Sequence, residues 1–463
     1  MPKARPLPSP CNVLLVGGGG REHALAWKLK QSPHLGHLWL SDASNAGLAL
    51  LGKPCPVAMD MRDVFRMQRW CDANDIHLVV VGPEGPLAQG MADALQSKTR
   101  LVFGPSKAAA QLEADKAFAK QLMRQASIPT AEGRIFDSAE MARNYVMAHE
   151  EAFVVKAAGL ASGKGAIVCD TQAEALDAVN RIMVKREFGD AGSKVVIEEK
   201  LGGQEVSILA LVDGRTIWTL DPCQDHKQVG EGDTGPNTGG MGAYCPTPPQ
   251  VIDRETMRLI EQQVLVPTVD ALRREGIEYR GVLYAGIMLT PGGPKVLEFN
   301  CRFGDPECQP LMARLRSDLL EILWATAAGN LDQAEIEFDP RTAVCVVMCA
   351  AGYPGPYEKG KVITGIEDAE AAGSTSGATG ISEAAVTPAG KAAAVGDVVV
   401  FHAGTTLDHN GNSVTSGGRV LGVTALADDL ATARDLANAA CEKIHFEGAF
   451  WRKDIGDRVL ARA

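Results

Sequence analysis

The chain has 463 residues, 46 % apolar and 22 % charged, with a net charge of -11. That length exceeds one ordinary domain and suggests roughly three or four, each burying its own core. The acidic balance speaks against a nucleic-acid partner, which calls for clustered basic surface, and no apolar run approaches the ~18 residues of a membrane span.

The opening MPKARPLPSP has no apolar stretch of the kind that directs secretion and reads as a loose tail. Eleven scattered cysteines without any C-x-x-C signal neither a zinc site nor a disulfide framework, and a cytoplasmic location is expected. Up to about residue 105 the pattern alternates. NVLLV, HLWLSD, IHLVVVG and RLVFG read as strands, and 21–31, 61–74 and 86–97 carry helical spacing, which predicts a parallel α/β unit. Ligands of such sheets sit at the carboxyl ends of strands, where the turn Gly17–Gly20 and the stretch Gly82–Gly85 fall. A strand, a glycine turn and a helix N-terminus together form an anion site, because free N–H groups and the helix dipole face it. The dinucleotide fingerprint G-x-G-x-x-G nevertheless fails in both registers, at Glu22 and at His23, although Asp42 stands near the ribose-acid position.

A helical stretch over 106–127 leads to Pro129, and a smaller unit follows. It comprises FVVKA at 153–157, the glycine loop 159–165, AIVC, a helix from about 171, and KVVIEEKL at 194–201. The loop departs from the Walker pattern, since Lys164 is followed by Gly165 and a strand, but glycines between Lys156 and Lys164 suit a flap over phosphates. Strands over 205–223 precede a glycine-rich loop, 224–244, too long and polar to be a passive connection. In it Asp225, His226, Lys227 and Asn237 offer donors and acceptors, with no acid–base role assigned to His226. A helix over 253–275 is followed by the hairpin YAGIMLT-PGGP-KVLEFNCR. Alternation places Glu298, Asn300 and Arg302 on one face of its second strand and Leu297 and Phe299 on the other. Two oxygen donors at i and i+2 suit Mg²⁺, which takes one or two protein oxygens and fills its shell with water and phosphates. The continuation RFGDPE adds Asp305 and Glu307 in a tight turn. The tail beyond 337 has few clustered ionisable residues, so structure and closure are expected there and not chemistry.

Taken together, GGGGREHAL, VVGPEGPL, FGPSKAAAQLEADKAFAK, KAAGLASGKG, VIEEKLGGQEVS, QDHKQVGEGDTGPNTGGMGAY, LEFNCRFGDPECQP, FHAGT, TSGGRVLGVTA and RKDIG closely resemble the phosphoribosylamine glycine ligase (glycinamide ribonucleotide synthetase) family of ATP-grasp enzymes. The resemblance spans almost the whole chain. It implies a mixed α/β and α+β multidomain fold: an N-terminal parallel α/β domain (1–110), a helical connection (111–135), an ATP-grasp flap (136–200), a central ATP-grasp domain (201–336) and a small mixed C-terminal domain (337–463). Its cofactors would be ATP as co-substrate and Mg²⁺, with Mn²⁺ as an alternative. Its partners would be glycine, phosphoribosylamine and ATP, bound by a monomer in no more than transient contact with neighbouring pathway enzymes.

The resemblance also assigns residues. Gly18, Gly19, Gly20, Arg21, Glu22, Pro83 and Glu84 would hold phosphoribosylamine, the first turn taking its 5′-phosphate and Glu84 its ribose. Asp225, Lys227, Asn237, Gly239, Gly240, Met241, Arg302 and Asp305 would complete the substrate site. Lys116 and Lys156 would meet ATP phosphates, Glu198, Glu199 and Leu201 adenine, and Glu205 the nucleotide ribose, with Glu298 and Asn300 on the metal. Arg302, Lys156 and Asp225 would be catalytic. The glycine carboxylate would attack the γ-phosphate, and the amine of phosphoribosylamine would capture the glycyl phosphate. A ligase using another acid or amine, and a nucleotide sensor that kept the fold, are the alternatives; intact metal ligands speak against the sensor. Ala158 departs from the family, where Asp or Ser is common, and a role in shaping the flap is expected of that position.

Overall fold

The computed structural model describes residues 5–161, 163–372 and 397–461. Ser162 of the flap loop and the first four residues therefore lie outside it.

Four of the expected strands, with a short fifth at Lys53–Pro54, form a parallel sheet in the spatial order Lys53–Pro54, Leu35–Leu40, Cys11–Val16, Ile76–Val81, Leu101–Phe103. Both faces are covered, so the central strands read as near-continuous apolar runs, interrupted by Asn12 and His77. The chain starts in the middle, builds to one side and then crosses to the other. The switch point thus lies between Cys11–Val16 and Ile76–Val81, and the glycine turn and Gly82 leave these two strands side by side. The segment expected as one helix over 86–97 is two, Glu84–Gln89 and Met91–Leu95, divided at Gly90.

The flap is an antiparallel sheet in the order Gly133–Phe136, Val195–Glu199, Phe153–Ala157, Ala166–Cys169, and its core of Phe136, Val155, Ile182 and Ile197 is its own. The central sheet, also antiparallel, runs Ile217–Thr219, Gln204–Asp213, Arg280–Thr290, Gly293–Asn300. Its underside packs on Arg254–Ile260 and Val266–Arg274, joined by a π turn at Glu261–Leu265 in what the periodicity presented as one helix. Helix Leu319–Ala328 seals the central sheet to the N-terminal one. Leu320, Leu323 and Trp324 share a single core with Leu15, Val80 and Phe103 on one side and Leu209 and Val282 on the other. Arg5 lies over Trp324 and accepts a hydrogen bond from its indole at 2.9 Å, so the expected loose tail is docked from residue 5 onward.

The C-terminal sheet crosses the boundary expected at 336. Its order is Gln224–Asp225, Gly242–Cys245, Thr342–Cys349, Arg419–Ala427, Val398–His402, so two of its five strands come from the ends of the long loop. Its edge strand Val398–His402 rests on helix Gly20–Leu29, nine of whose ten residues are buried. There the His402 N–H donates to His23 Nδ1 at 2.8 Å, and the two rings meet edge to face. Asn45 completes the joint: its amide donates to Gly18 O, His402 O and Ala403 O, while its oxygen caps helix Ala46–Leu51.

Burial keeps both histidines neutral, His23 well below the ordinary range and His402 at about 4; His226, within the long loop, is pushed down to about 3. A group whose affinity for protons is depressed by folding stabilises the native state above its unfolded pKa, and that contribution is lost as the pH falls. From pH 6.5 to 5 each of the three should cost about 1.5 kcal/mol, about 4–5 kcal/mol in all. Urea unfolding at the two pH values measures it, and His402→Gln should remove about a third of these histidines' share.

Candidate functional site

The glycine turn is built around a carboxylate. Gly17 has φ +112°, a conformation that L side chains resist, and a Cβ at Gly82 would stand 2.1 Å from Glu22 Oε1. Glu22 accepts the Gly19 N–H through Oε2 and Arg21 Nε through Oε1, each at 2.7 Å. Asp305 Oδ2 accepts the Arg21 N–H at 3.4 Å. The helix N-terminus is therefore not the bare anion site expected, because two of the chain's own carboxylates already meet it. Positive charge is supplied instead by Arg21, which also donates to Phe303 O at 3.0 Å, and by Arg419 from the C-terminal sheet. Arg419 donates to the carbonyls of Asp305, Gly239 and Gly240. Burial alone would raise the pKa of Asp305, but Arg419 and Arg21 hold it below the ordinary range. The tail was expected to contribute structure and closure and not chemistry, and Arg419 brings it into contact with Asp305 at the cleft. Pro83 caps helix Glu84–Gln89, which aims Glu84 at Arg302 Nε, 3.5 Å away.

The face expected to bind metal stands on strand Gly293–Asn300 with one change from simple alternation. A bulge at Leu297 separates the pairs Glu298–Gly286 and Val296–Ile287, so Val296 and Phe299 take the core side while Glu298 and Asn300 keep the cleft side. The carbonyl of Leu297 accepts Lys156 Nζ at 2.9 Å. Lys227 Nζ lies 2.5 Å from Glu205 and 3.5 Å from Glu298. Burial would raise the pKa of Glu298, but Lys227, Lys116, Lys156 and Arg302 together pull it down to about 2. A permanently ionised carboxylate and an amide oxygen two residues on are hard donors, and they fit Mg²⁺.

Arg302 clasps Glu113 at 2.8 Å and Asn300 Oδ1 at 3.2 Å. Glu113, which sequence reasoning passed over, also accepts the Cys301 N–H at 2.7 Å. Asp225 Oδ1 accepts the His226 N–H at 2.7 Å, and burial with nearby Glu307 raises its proton affinity well above the carboxylate range. Glu307 is itself held by Tyr284 at 2.6 Å and Ser207 at 3.0 Å.

On the flap, alternation turns successive acids to opposite faces. Glu198 is buried between Lys120 and Lys156, 2.6 Å from each, whereas Glu199 faces Lys295 and the Glu132 N–H, both at 2.9 Å. Leu201 is half-buried in the loop that follows. Lys116 Nζ reaches Gly159 O at 3.4 Å, and the carbonyl of Ala158 accepts the Lys116 N–H at 2.8 Å. Ala158 itself packs against Ala117 and Val196.

The long loop is folded, and it buries one of its expected substrate residues and exposes another. Met241 is fully buried against Val347 and Cys349, and its N–H and carbonyl are taken by His226 and Val347, so it contributes packing and not contact with substrate. Asn237 pairs with Gln228 in an exposed two-stranded ribbon. The ribbon is clamped by Arg452, which holds Gln228 O and Asp233 at 3.0 Å and Asp454 at 2.7 Å, and by Arg458 on Asp233. Tyr353 OH accepts the Gly239 N–H at 3.1 Å. Arg419 and Arg452 stand in the matching stretches TSGGRVLGVTA and RKDIG, but nothing in the pattern there singled out either arginine, and Tyr353 lay outside every such stretch.

With this geometry in place, comparison with known proteins is specific. Residues 11–113, 114–308 and 379–458 match the N, ATP-grasp (A) and C domains of phosphoribosylglycinamide synthetase. A phosphoribosylamine–glycine ligase of Rhodopirellula baltica is 49 % identical over 98 % of both chains. The human trifunctional purine biosynthetic protein adenosine-3 is 46 % identical over 97 % of this chain, which spans 42 % of that longer protein. The crystal structure of phosphoribosylamine–glycine ligase from Thermotoga maritima superimposes with a TM-score of 0.77 at 30 % identity, covering 96 % of this chain and all of the other.

The lysine pair on Glu198 generates a stability test. Glu198→Gln keeps the shape but leaves two buried ammonium groups without their shared counter-charge, so unfolding free energy should fall by about 3–5 kcal/mol, read by denaturant titration.

Proposed function

Because the chain belongs to the phosphoribosylglycinamide synthetase family, we propose that it joins glycine to 5-phosphoribosylamine at the expense of ATP, giving glycinamide ribonucleotide, ADP and phosphate in purine nucleotide synthesis. The observation that carries this reading is one cleft with two chemically distinct halves. Glu298, Asn300 and the lysines 116, 156 and 227 form the nucleotide side, and Glu84, Asp305, Arg21 and Arg419 gather at the switch point of the N-terminal sheet.

Attack of a glycine carboxylate on the γ-phosphate brings like charges together, at about 4 kcal/mol per unit pair for ~4 Å and an effective dielectric near 20. Phosphoryl transfer of this kind is mostly positioning and electrostatics, and the three lysines suit both. Glu298 and Asn300 would hold Mg²⁺, or Mn²⁺ in its place, which neutralises charge on the phosphates. Glu198 presses Lys156 into position from below. Arg302, fixed by Glu113, offers its remaining donors to the glycine carboxylate and the acyl phosphate. The amine of phosphoribosylamine then attacks the acyl carbon and must lose a proton. Asp225 in its ionised form, whose proton affinity burial and nearby Glu307 raise, is the group we place to take it. The 5′-phosphate goes to Arg419 and Arg21, and the ribose hydroxyls to Glu84. We place the reaction in the cytoplasm and in a monomer. All eleven cysteines are free, and among the described residues no helix is long and apolar enough to cross a membrane.

The functional test is ADP release with each component omitted in turn: ADP should form only with glycine, phosphoribosylamine, ATP and Mg²⁺ together, and equal turnover without glycine would overturn the assignment. In the same assay Glu298→Gln should lower kcat ~10²-fold or more. Arg419→Met should raise the KM for phosphoribosylamine roughly 10–100-fold, the worth of a hydrogen bond to a charged group, while leaving that for ATP nearly unchanged; an ATP-selective defect would move the phosphate site elsewhere.

A further inference from the structure

Two cysteines bracket the long loop, one just before its first residue and one just after its last. The stem pairs Gln224 with Tyr244 and Asp225 with Ala243, so the next pair outward is Cys223 and Cys245. The N–H and carbonyl of Cys223 are both engaged by Ser207 on the neighbouring strand, at 3.0 and 2.8 Å. Its backbone thus turns away from Cys245, and the two form a non-hydrogen-bonded cross-strand pair. In that register Cα atoms stand about 4.5 Å apart with side chains at their closest, inside the range that a disulfide spans. The two thiols neighbour one another, and both donate to one carbonyl, that of Asp221, at 3.7 and 3.8 Å. Arg314 brings a guanidinium N–H to 3.2 Å from Cys245 Sγ and is fixed there by Asp221 at 2.7 Å and Asp339 O at 2.8 Å. Nothing in the proposed reaction uses these groups.

We propose that Cys223 and Cys245 are a redox dithiol, closed by hydrogen peroxide into a disulfide that ties the two ends of the substrate loop together. Arg314 donates to the Cys245 sulfur and can hold negative charge there, which makes Cys245 the attacking sulfur, while burial keeps Cys223 protonated. Cys245 sulfur forms a bond to one peroxide oxygen as the O–O bond breaks, and hydroxide leaves and takes up a proton to become water. Cys223 sulfur then attacks the sulfenic sulfur; the S–S bond forms, the S–O bond breaks, and the departing hydroxide takes the thiol proton as a second water. Two thiols are oxidised and one peroxide is reduced. Both sulfurs are shut from solvent, but only two residue pairs of the stem lie between them and the rest of the loop, so local opening of that short stem admits a molecule the size of peroxide. The inference does not depend on which substrates the loop holds.

The test uses the full-length protein, exposed to hydrogen peroxide, alkylated, and mapped as peptides without reduction. The expected product is one intramolecular bridge joining Cys223 to Cys245, lost on treatment with dithiothreitol. Amides of the stem should exchange with deuterium about tenfold more slowly in the bridged form. Cys245→Ser should abolish the bridge and leave Cys223 as a free thiol. The inference is overturned if both cysteines are recovered alkylated at a peroxide dose that oxidises the more exposed Cys55, if either is bridged elsewhere, or if Cys223 is oxidised as fast in Cys245→Ser as in the parent. The parent protein alone decides the first two outcomes, whatever the folding of the variant.

Discussion

A carboxylate withdrawn from water has to find its counter-charge inside the protein, and Asp305 finds it in two distant parts of the chain. One oxygen accepts the N–H at the start of helix Gly20–Leu29 and lies against Arg419 of the C-terminal sheet; the other accepts from Gln309 at 2.9 Å. An uncompensated buried carboxylate would cost several kcal/mol, so N-terminal turn, central strand end and C-terminal sheet are held in one arrangement by a single charge. The glycines of the turn follow from this. They are there because Glu22 and Asp42 crowd the space that a Cβ would fill, and not because the backbone needs freedom alone.

The same logic recurs on the opposite side of the cleft, where two lysines converge on Glu198 and three reach toward Glu298. Each carboxylate does two jobs: it makes a buried cation tolerable, and it aims that cation. A site meant to receive several phosphate charges must hold positive charge before they arrive, and here paired acids store it.

Much of this was legible in the sequence, for identifiable reasons. Glu298 and Asn300 could be placed on one face because alternation survives across most of a strand. The bulge at Leu297 could not be foreseen, since an extra residue on one strand leaves no mark in a linear pattern. That the two glycine stretches end strands of a parallel sheet followed from strand and turn order alone, whereas the spatial order that makes those two strands neighbours did not. The C-terminal boundary did not, because the stem of the long loop joins a sheet whose other strands lie roughly a hundred residues or more away, and periodicity carries no record of such pairing. Met241 shows a second limit. A matching string identifies a family position but does not say whether the side chain meets a ligand or merely packs the loop that does. Arg419 shows the converse: its role rests on carbonyls that only the folded loop presents.

The shared C-terminal sheet bears on how the protein is made. Gln224–Asp225 and Gly242–Cys245 can be completed only when Thr342–Cys349 and Arg419–Ala427 have emerged from the ribosome, whereas the first parallel sheet and the flap each close within their own stretch of chain. Pairings so far apart in sequence form late. A nascent chain can therefore own a folded N-terminal sheet and flap while the long loop is still without its anchors, and that loop is fixed only when the C-terminal strands arrive, not by degrees.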